Sequence, residues 1–276
     1  MIKEAVLVLA LAACVSAAVL PVRRIAHSGP LRKTGLKQGR IVGGKEAEEG
    51  QFPYSVSIQW QLSGVSSHFC GGALVKDDVV VTAGQCAHVV TYGLTTVVAG
   101  RVYMDESVYG QSTLWEISHP EYKVVNNHAI NDIAVFTLTV GFDLSDKINV
   151  IGLPSQDQKP YAQAATLSGW GSTSNSMLPE TSDTLHYAEV TVIPTVNCYA
   201  LMTDDSTFNN NNICSGPVTG KISSCVGDIG SPLVQYGNLI GVVSWNTVPC
   251  GTFGMPIVYT RVSAYSDWIK EYMDTK

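Results

Sequence analysis

Charge is scarce in this chain of 276 residues: 14% of them are Asp, Glu, Lys or Arg, which excludes an acidic or basic disordered tail. Long apolar runs are missing too. The one that opens the chain, Ala5 to Leu20, falls short of the ~20 residues that a membrane-spanning helix needs. No two cysteines are spaced C-x-x-C, which argues against a cysteine-built zinc site. No N-x-S/T triplet offers an acceptor for N-glycosylation.

What is present organises the chain. The opening apolar run follows Lys3 and ends on Ser16-Ala17-Ala18, the pattern of a signal peptide over residues 1–18. Residues 19–40 carry Arg23, Arg24, Arg32, Lys33, Lys37 and Arg40 with no acid, among several Gly and Pro, and read as a basic propeptide that cannot build a core. Without residues 1–40 the chain keeps 10 Lys and Arg against 22 Asp and Glu, a balance of −12 that speaks against nucleic-acid or heparin partners. Cys14 leaves with the signal peptide. Cys70, Cys86, Cys198, Cys214, Cys225 and Cys250 remain, an even set that points to disulfides in an exported protein; sequence alone leaves their pairing open.

From Ile41 onward, short apolar or alternating runs (YSVSIQW, CGGALV, VVVTAG, TTVVAG, IAVFTL, EVTVI, LIGVVSW) are broken by Gly, Pro, Asn and Ser clusters, the cadence of many short strands. Helical spacing is convincing only at the end, where Val262, Tyr265, Trp268, Ile269 and Tyr272 mark one face. The fold class is therefore all-β with a terminal helix, and no internal repeat is visible. The polar, proline-bounded stretch Leu153 to Pro160 suggests a boundary, giving domains over 41–155 and 156–276. The Asn209 to Asn212 run reads as a solvated loop.

Eight motifs occur in order: Arg40 before IVGG, HFCGGALV at 68–75, VVVTAGQCA at 79–87, NDIAVFTL at 131–138, LSGWG at 167–171, CVGDIGSPLV at 225–234, VVSW at 242–245 and VYTRV at 258–262. Together they resemble the trypsin-like serine proteases from Arg40 to the terminal helix. The resemblance implies two antiparallel six-stranded β-barrels with a cleft between them. It also implies the disulfides Cys70–Cys86, Cys198–Cys214 and Cys225–Cys250.

That chemistry needs a serine hydroxyl, an imidazole to take its proton and a carboxylate to orient the imidazole. The position resembling the histidine holds Gln85, and an amide is no base near neutral pH. The position resembling the serine holds Ile229, which has no lone pair to donate. Asp132 survives, with Ser244 as its implied hydrogen-bond partner. The implied specificity pocket has Ser223 at its floor, with no acid for a basic side chain, and Asn246 and Ile257 where the family has glycines, so it is expected to be plugged. The former oxyanion hole would use the amides of Gly227 and Ile229. Cleavage after Arg40 is expected to free an Ile41 ammonium that pairs with Asp228, whereas an intact precursor would hold Asp228 elsewhere.

Rescue by a displaced group would have to use Ser231, His68, His88, His119 or His128. Ser231 is expected to be held away from the nucleophile position, His68 reads as structural, and the other three read as ordinary loop histidines. Chance drift accounts poorly for four changed site positions beside six kept cysteines. Within the family the chain is most similar to the inactivated serine protease paralogues of the scabies mite, relatives of mite group 3 allergens. That likeness implies secretion and inhibition of host complement by a monomer that binds complement components or other host proteins, with no cofactor, no metal and no membrane. A decoy for protease substrates or inhibitors is the alternative. Asp105 and Glu106, near where some relatives hold calcium, read as solvated loop acids, and no clip-type cysteine set precedes Arg40.

Overall fold

The computed structural model describes residues 41–276 apart from 105–109, 174–179, 203–206, 246, 248 and 275–276. The signal-peptide and propeptide expectations, Arg40 included, lie outside the described residues, as do Asn246, Asp105 and Glu106.

The first barrel is built from β1 (Ser55–Leu62), β2 (Val65–Lys76), β3 (Val79–Thr82), β4 (Leu94–Ala99), β5 (Gln111–Ser118) and β6 (Ala134–Leu138), which close in the order β1-β2-β3-β6-β5-β4 and back to β1. The second comprises β7 (Ala164–Gly169), β8 (His186–Ile193), β9 (Asn212–Gly216), β10 (Pro232–Gln235), β11 (Asn238–Trp245) and β12 (Ile257–Arg261). It closes in the order β7-β8-β9-β12-β11-β10, with Lys45–Glu46 added outside β8. The two ring orders are the same once the second barrel is renumbered from its own first strand. All pairings within the rings are antiparallel. The sequence therefore conceals a duplication of topology that no residue-level repeat reveals.

Alternation explains each barrel's interior. Along β8, His186, Ala188, Val190 and Val192 are buried, while Glu189 and Thr191 face out. The first interior gathers Val56, Ile58, Leu74, Val80 and Phe136. The second gathers Leu167, Val190, Leu233, Val243 and Tyr259, with Ile41 fully buried among them. A third core joins the barrels through Val79, Val135, Leu239 and Val242 and receives α2 (Ser266–Met273), whose Ile269 is fully buried.

Two elements differ from the sequence expectation. A second short helix, α1 (Thr195–Leu201), precedes β9, held by the Cys198–Cys214 bridge. Asn212 is not a solvated loop residue: it is buried, opens β9, and its Oδ1 accepts the Asn209 amide at 3.0 Å. A capping carboxamide can be satisfied at a strand end as well as in water, so a run of Asn need not be exposed.

Because the third core is where the helix meets both barrels, Ile269→Ala is expected to destabilise by about 2–5 kcal/mol. Lys270→Ala one residue on, which removes only an exposed pair with Asp267, should change stability by about 0–1 kcal/mol. Urea unfolding of the two variants checks the difference, and equal losses would contradict the placement of the core.

Candidate functional site

The candidate site lies between the barrels and takes residues from both. Gln85 sits on a 3-10 turn (Gly84–His88) after β3, and Asp132 just before β6. Ser244 is on β11, and Ile229 is in the turn that leads into β10.

Asp132 is almost fully buried, so its carboxylate needs donors. The Gln85 backbone N–H donates to Oδ1 at 2.8 Å, its side-chain Nε2 donates to Oδ2 at 2.7 Å, and the Ser244 hydroxyl donates to Oδ2 at 2.6 Å. Gln85 Nε2 also donates to the Ser244 carbonyl at 2.7 Å. Both partners of Nε2 are pure acceptors, which fixes the orientation of the amide. Burial raises the Asp132 pKa above its ordinary range, and the bonds from Ser244 and Gln85 pull against that rise. Both amide protons of Gln85 are thus committed, and the carboxamide cannot accept a proton near neutral pH.

Ile229 is partly buried and packs against the interior cores of both barrels. Its carbonyl accepts the Gly71 amide at 2.8 Å. Ser231, two residues on, is fully buried, and its Oγ has no hydrogen-bond partner among the described residues. It faces the close approach of Gly71 and Gly169, away from solvent. No backbone partner is found for the amides of Gly227 and Ile229 among the described residues.

Ser223 is buried, and its hydroxyl donates to the Ser224 carbonyl at 2.8 Å. Ile257 is 3% exposed and belongs to the second barrel's core. Asn246, the remaining member of that set, lies outside the described residues. The disulfides are Cys70–Cys86, Cys198–Cys214 and Cys225–Cys250. Among the described residues, no group of three or more His, Cys, Asp or Glu could hold a metal ion.

The histidines behave differently from expectation in three cases. His68 is structural: its Nε2–H donates to the Gly227 carbonyl at 2.9 Å, so Nδ1 accepts the Ser57 hydroxyl at 2.8 Å. Burial pushes its pKa down to about 4, which keeps it neutral. His88, His119 and His128 are not plain loop residues. His88 stacks on Tyr122, and His119 sits edge-on between Tyr265 and Trp268. His128 lies flat on Trp245, ring centroids 4.3 Å apart, beside Ser244. A hairpin carries His128 there: Asn126-Asn127, both at positive φ, make the two-residue turn between Lys123–Val125 and His128–Ile130.

Asp228 is held by backbone donors. In the uncut chain it is fully buried, accepting the amides of Gly171 at 2.9 Å and Cys225 at 2.8 Å. A side chain at Gly169 or Gly171 would collide with its carboxyl, so both glycines are needed for the cradle. Burial pushes its pKa up to about 7. Below that pH the carboxyl is mostly protonated and needs no cation beside it.

A pH dependence follows. The folded pKa lies above the ordinary ~3.9 of an unfolded Asp, so the folded state holds a proton that the unfolded state loses between pH ~4 and ~7. The stability contributed is complete below pH ~4 and falls as pH rises through 7. In urea titrations of the uncut chain, the stability of wild type minus that of Asp228→Asn should fall by more than about 1 kcal/mol as pH rises over that window. A difference that is flat or grows with pH would contradict a neutral buried Asp228.

The chain matches the Trypsin family model over residues 41–269. It is 36% identical over 239 residues to a trypsin of Phaedon cochleariae, covering 84% of this chain and 87% of the relative. Trypsin 5G1 of Aedes aegypti is 36% identical over 239 residues, covering 84% and 85%. Glandular kallikrein-10 of Rattus norvegicus is 31% identical over 250 residues, covering 86% and 90%. With its paired six-stranded barrels, its three disulfides and the buried Asp132 between them, the chain belongs to the trypsin-like serine protease family.

Proposed function

We propose that this chain is a member of the trypsin-like family without proteolytic activity, exported and acting by binding another protein. The observation that carries the reading is the commitment of Gln85: both protons of its amide are donated to Asp132 and Ser244, so it takes the place of an imidazole as donor to Asp132 and offers no basic atom. Ile229 supports the same reading, because a group packed against two apolar cores has neither a proton to lose nor an electron pair to give. The relatives named trypsin and kallikrein are proteases by name, and this chain departs from the family pattern at the two positions where the bond-making chemistry resides. Loss of nucleophile or base alone costs on the order of 10⁶ in turnover in a protease of another fold.

The partner proposed, on the likeness to the inactivated mite paralogues, is a host complement component. The three disulfides suit an oxidising compartment, and no helix among the described residues is long and apolar enough to cross a membrane. The decoy reading is weaker because an inhibitor's anchoring side chain needs an open pocket, and Ser223 and Ile257 are buried.

Incubation of the Ile41 form with a fluorophosphonate and mixed peptide substrates should give no covalent label and no turnover. The double variant Gln85→His/Ile229→Ser should gain labelling at position 229, yet cleave Arg and Lys substrates poorly because Ser223 supplies no acid. Labelling of the wild-type chain would overturn the inactive reading. Purified protein at micromolar concentration should protect erythrocytes from complement, and full lysis would remove complement as the target.

A further inference from the structure

We propose that the second barrel carries a saccharide-binding site at the hairpin turn between β10 and β11, built from residues that take no part in the degenerate centre. The starting point is a residue that the local backbone does not favour. Gln235 pairs with Asn238, leaving Tyr236-Gly237 as a two-residue turn with φ of 49° and 74°. Positive φ at both central positions is the type I′ pattern, which favours Asn-Gly and strains an aromatic residue at the first position. Where the chain needs a similar turn elsewhere, it uses Asn126-Asn127. Burial does not explain Tyr236 either, since it is 68% exposed.

What the tyrosine does is frame a cavity. Its ring meets that of Tyr161 edge to face, centroids 5.8 Å apart at 76°, and Tyr161 is itself 57% exposed. Its hydroxyl donates to Gln163 Oε1. Together with Gln158, Lys159 and Ile240, these three residues line a cavity of about 460 Å³, within the range of small-ligand sites.

The lining selects the ligand. Gln163 Oε1 is taken by the Tyr236 hydroxyl and Gln158 Oε1 by the Ser155 amide, so both carboxamides offer their NH₂ groups, beside the Lys159 ammonium. Donors set around two accessible phenol rings suit a pyranose, whose hydroxyl and ring oxygens accept hydrogen bonds while its C–H face lies on an aromatic ring. Lys159 is the one charged residue of the lining, and the excess of acids over the chain from Ile41 opposes the approach of an anion, so the proposed ligand is a neutral or N-acetylated saccharide rather than an anionic one. Rings at 76° do not form the aromatic-lined groove that seats a polyproline helix.

The test uses the Ile41 form on an array of neutral, N-acetylated and sialylated mono- to trisaccharides, with titration calorimetry of the sugars that bind and a proline-rich decapeptide as comparison. Neutral or N-acetylated sugars should bind. Tyr161→Ala and Tyr236→Asn should each weaken them at least tenfold. Tyr236→Asn should also raise Tm by roughly 2–4 °C, because Asn fits the turn and relieves the strain. Binding lost together with a raised Tm separates a site from a folding defect. Absence of any sugar bound by the wild type, preference for sialylated sugars or the decapeptide, binding retained by both variants, or an unchanged or lowered Tm in Tyr236→Asn would each overturn the proposal.

Discussion

A carboxylate removed from water must be surrounded by donors, and in this molecule the carboxylate of Asp132 sits where the two barrels meet. Gln85 approaches it from the first barrel and Ser244 from the second, while Thr260 on β12 donates to the Asp132 carbonyl at 2.7 Å. The network therefore ties the barrels together, independently of any chemistry performed there. Leaving one of its donors out would strand a buried acceptor, at about 1–3 kcal/mol. A glutamine keeps the donor of an imidazole in place and discards its basicity. That is a substitution the fold tolerates and a base-dependent mechanism does not.

The same separation of fold from chemistry holds at Ile229. The turn from Cys225 to Ser231 is fixed by its surroundings: Gly230 at φ 81° leaves no room for a side chain against Thr82 and Gly71, and the Gly230 amide donates to the Val243 carbonyl at 2.8 Å. None of these contacts involves the side chain at 229. An apolar group there gains contact with both interior cores, whereas a hydroxyl would need a partner. Ser231 illustrates the alternative, a buried hydroxyl without one. Retained glycines, cysteines and Asp228 are thus what packing demands, and their presence says nothing for catalysis.

Much of the fold was legible because alternation is a local property. β8 announces itself through residues that face in and out by turns, and β11 through an apolar run that is buried between its two ends. Two barrel strands did not. β5 carries Leu114 and Trp115 on exposed faces among polar residues, and β9, Asn-Ile-Cys-Ser-Gly, is buried with one aliphatic side chain, so neither shows an alternating pattern or an apolar run. The degenerate centre was legible because motifs fix its residues in sequence, and Gln85, Asp132 and Ser244 do converge. The pairing of His128 with Trp245 was not, because it joins a hairpin of one half of the chain to a strand of the other. Contacts of that kind follow from tertiary packing, and no window of the sequence contains them.

The position of Asp228 in the uncut chain connects two unfavourable features. Ile41 has φ of 41°, a conformation that a β-branched residue adopts only under constraint, and it is fully buried. Asp228 is buried, which raises its pKa and disfavours its anion, and Tyr259, in the same core as Ile41, is raised chiefly by its own burial. Breaking the bond before Ile41 would release the first constraint, since φ at a free amino terminus has no preceding carbonyl to clash with. It would also create a positive charge on a residue already inside the protein. One covalent event would therefore relieve a backbone strain and offer the positive charge that the expected pairing with Asp228 requires. The advantage comes from the folded state and needs no substrate, so it does not depend on the side chains at 85 and 229.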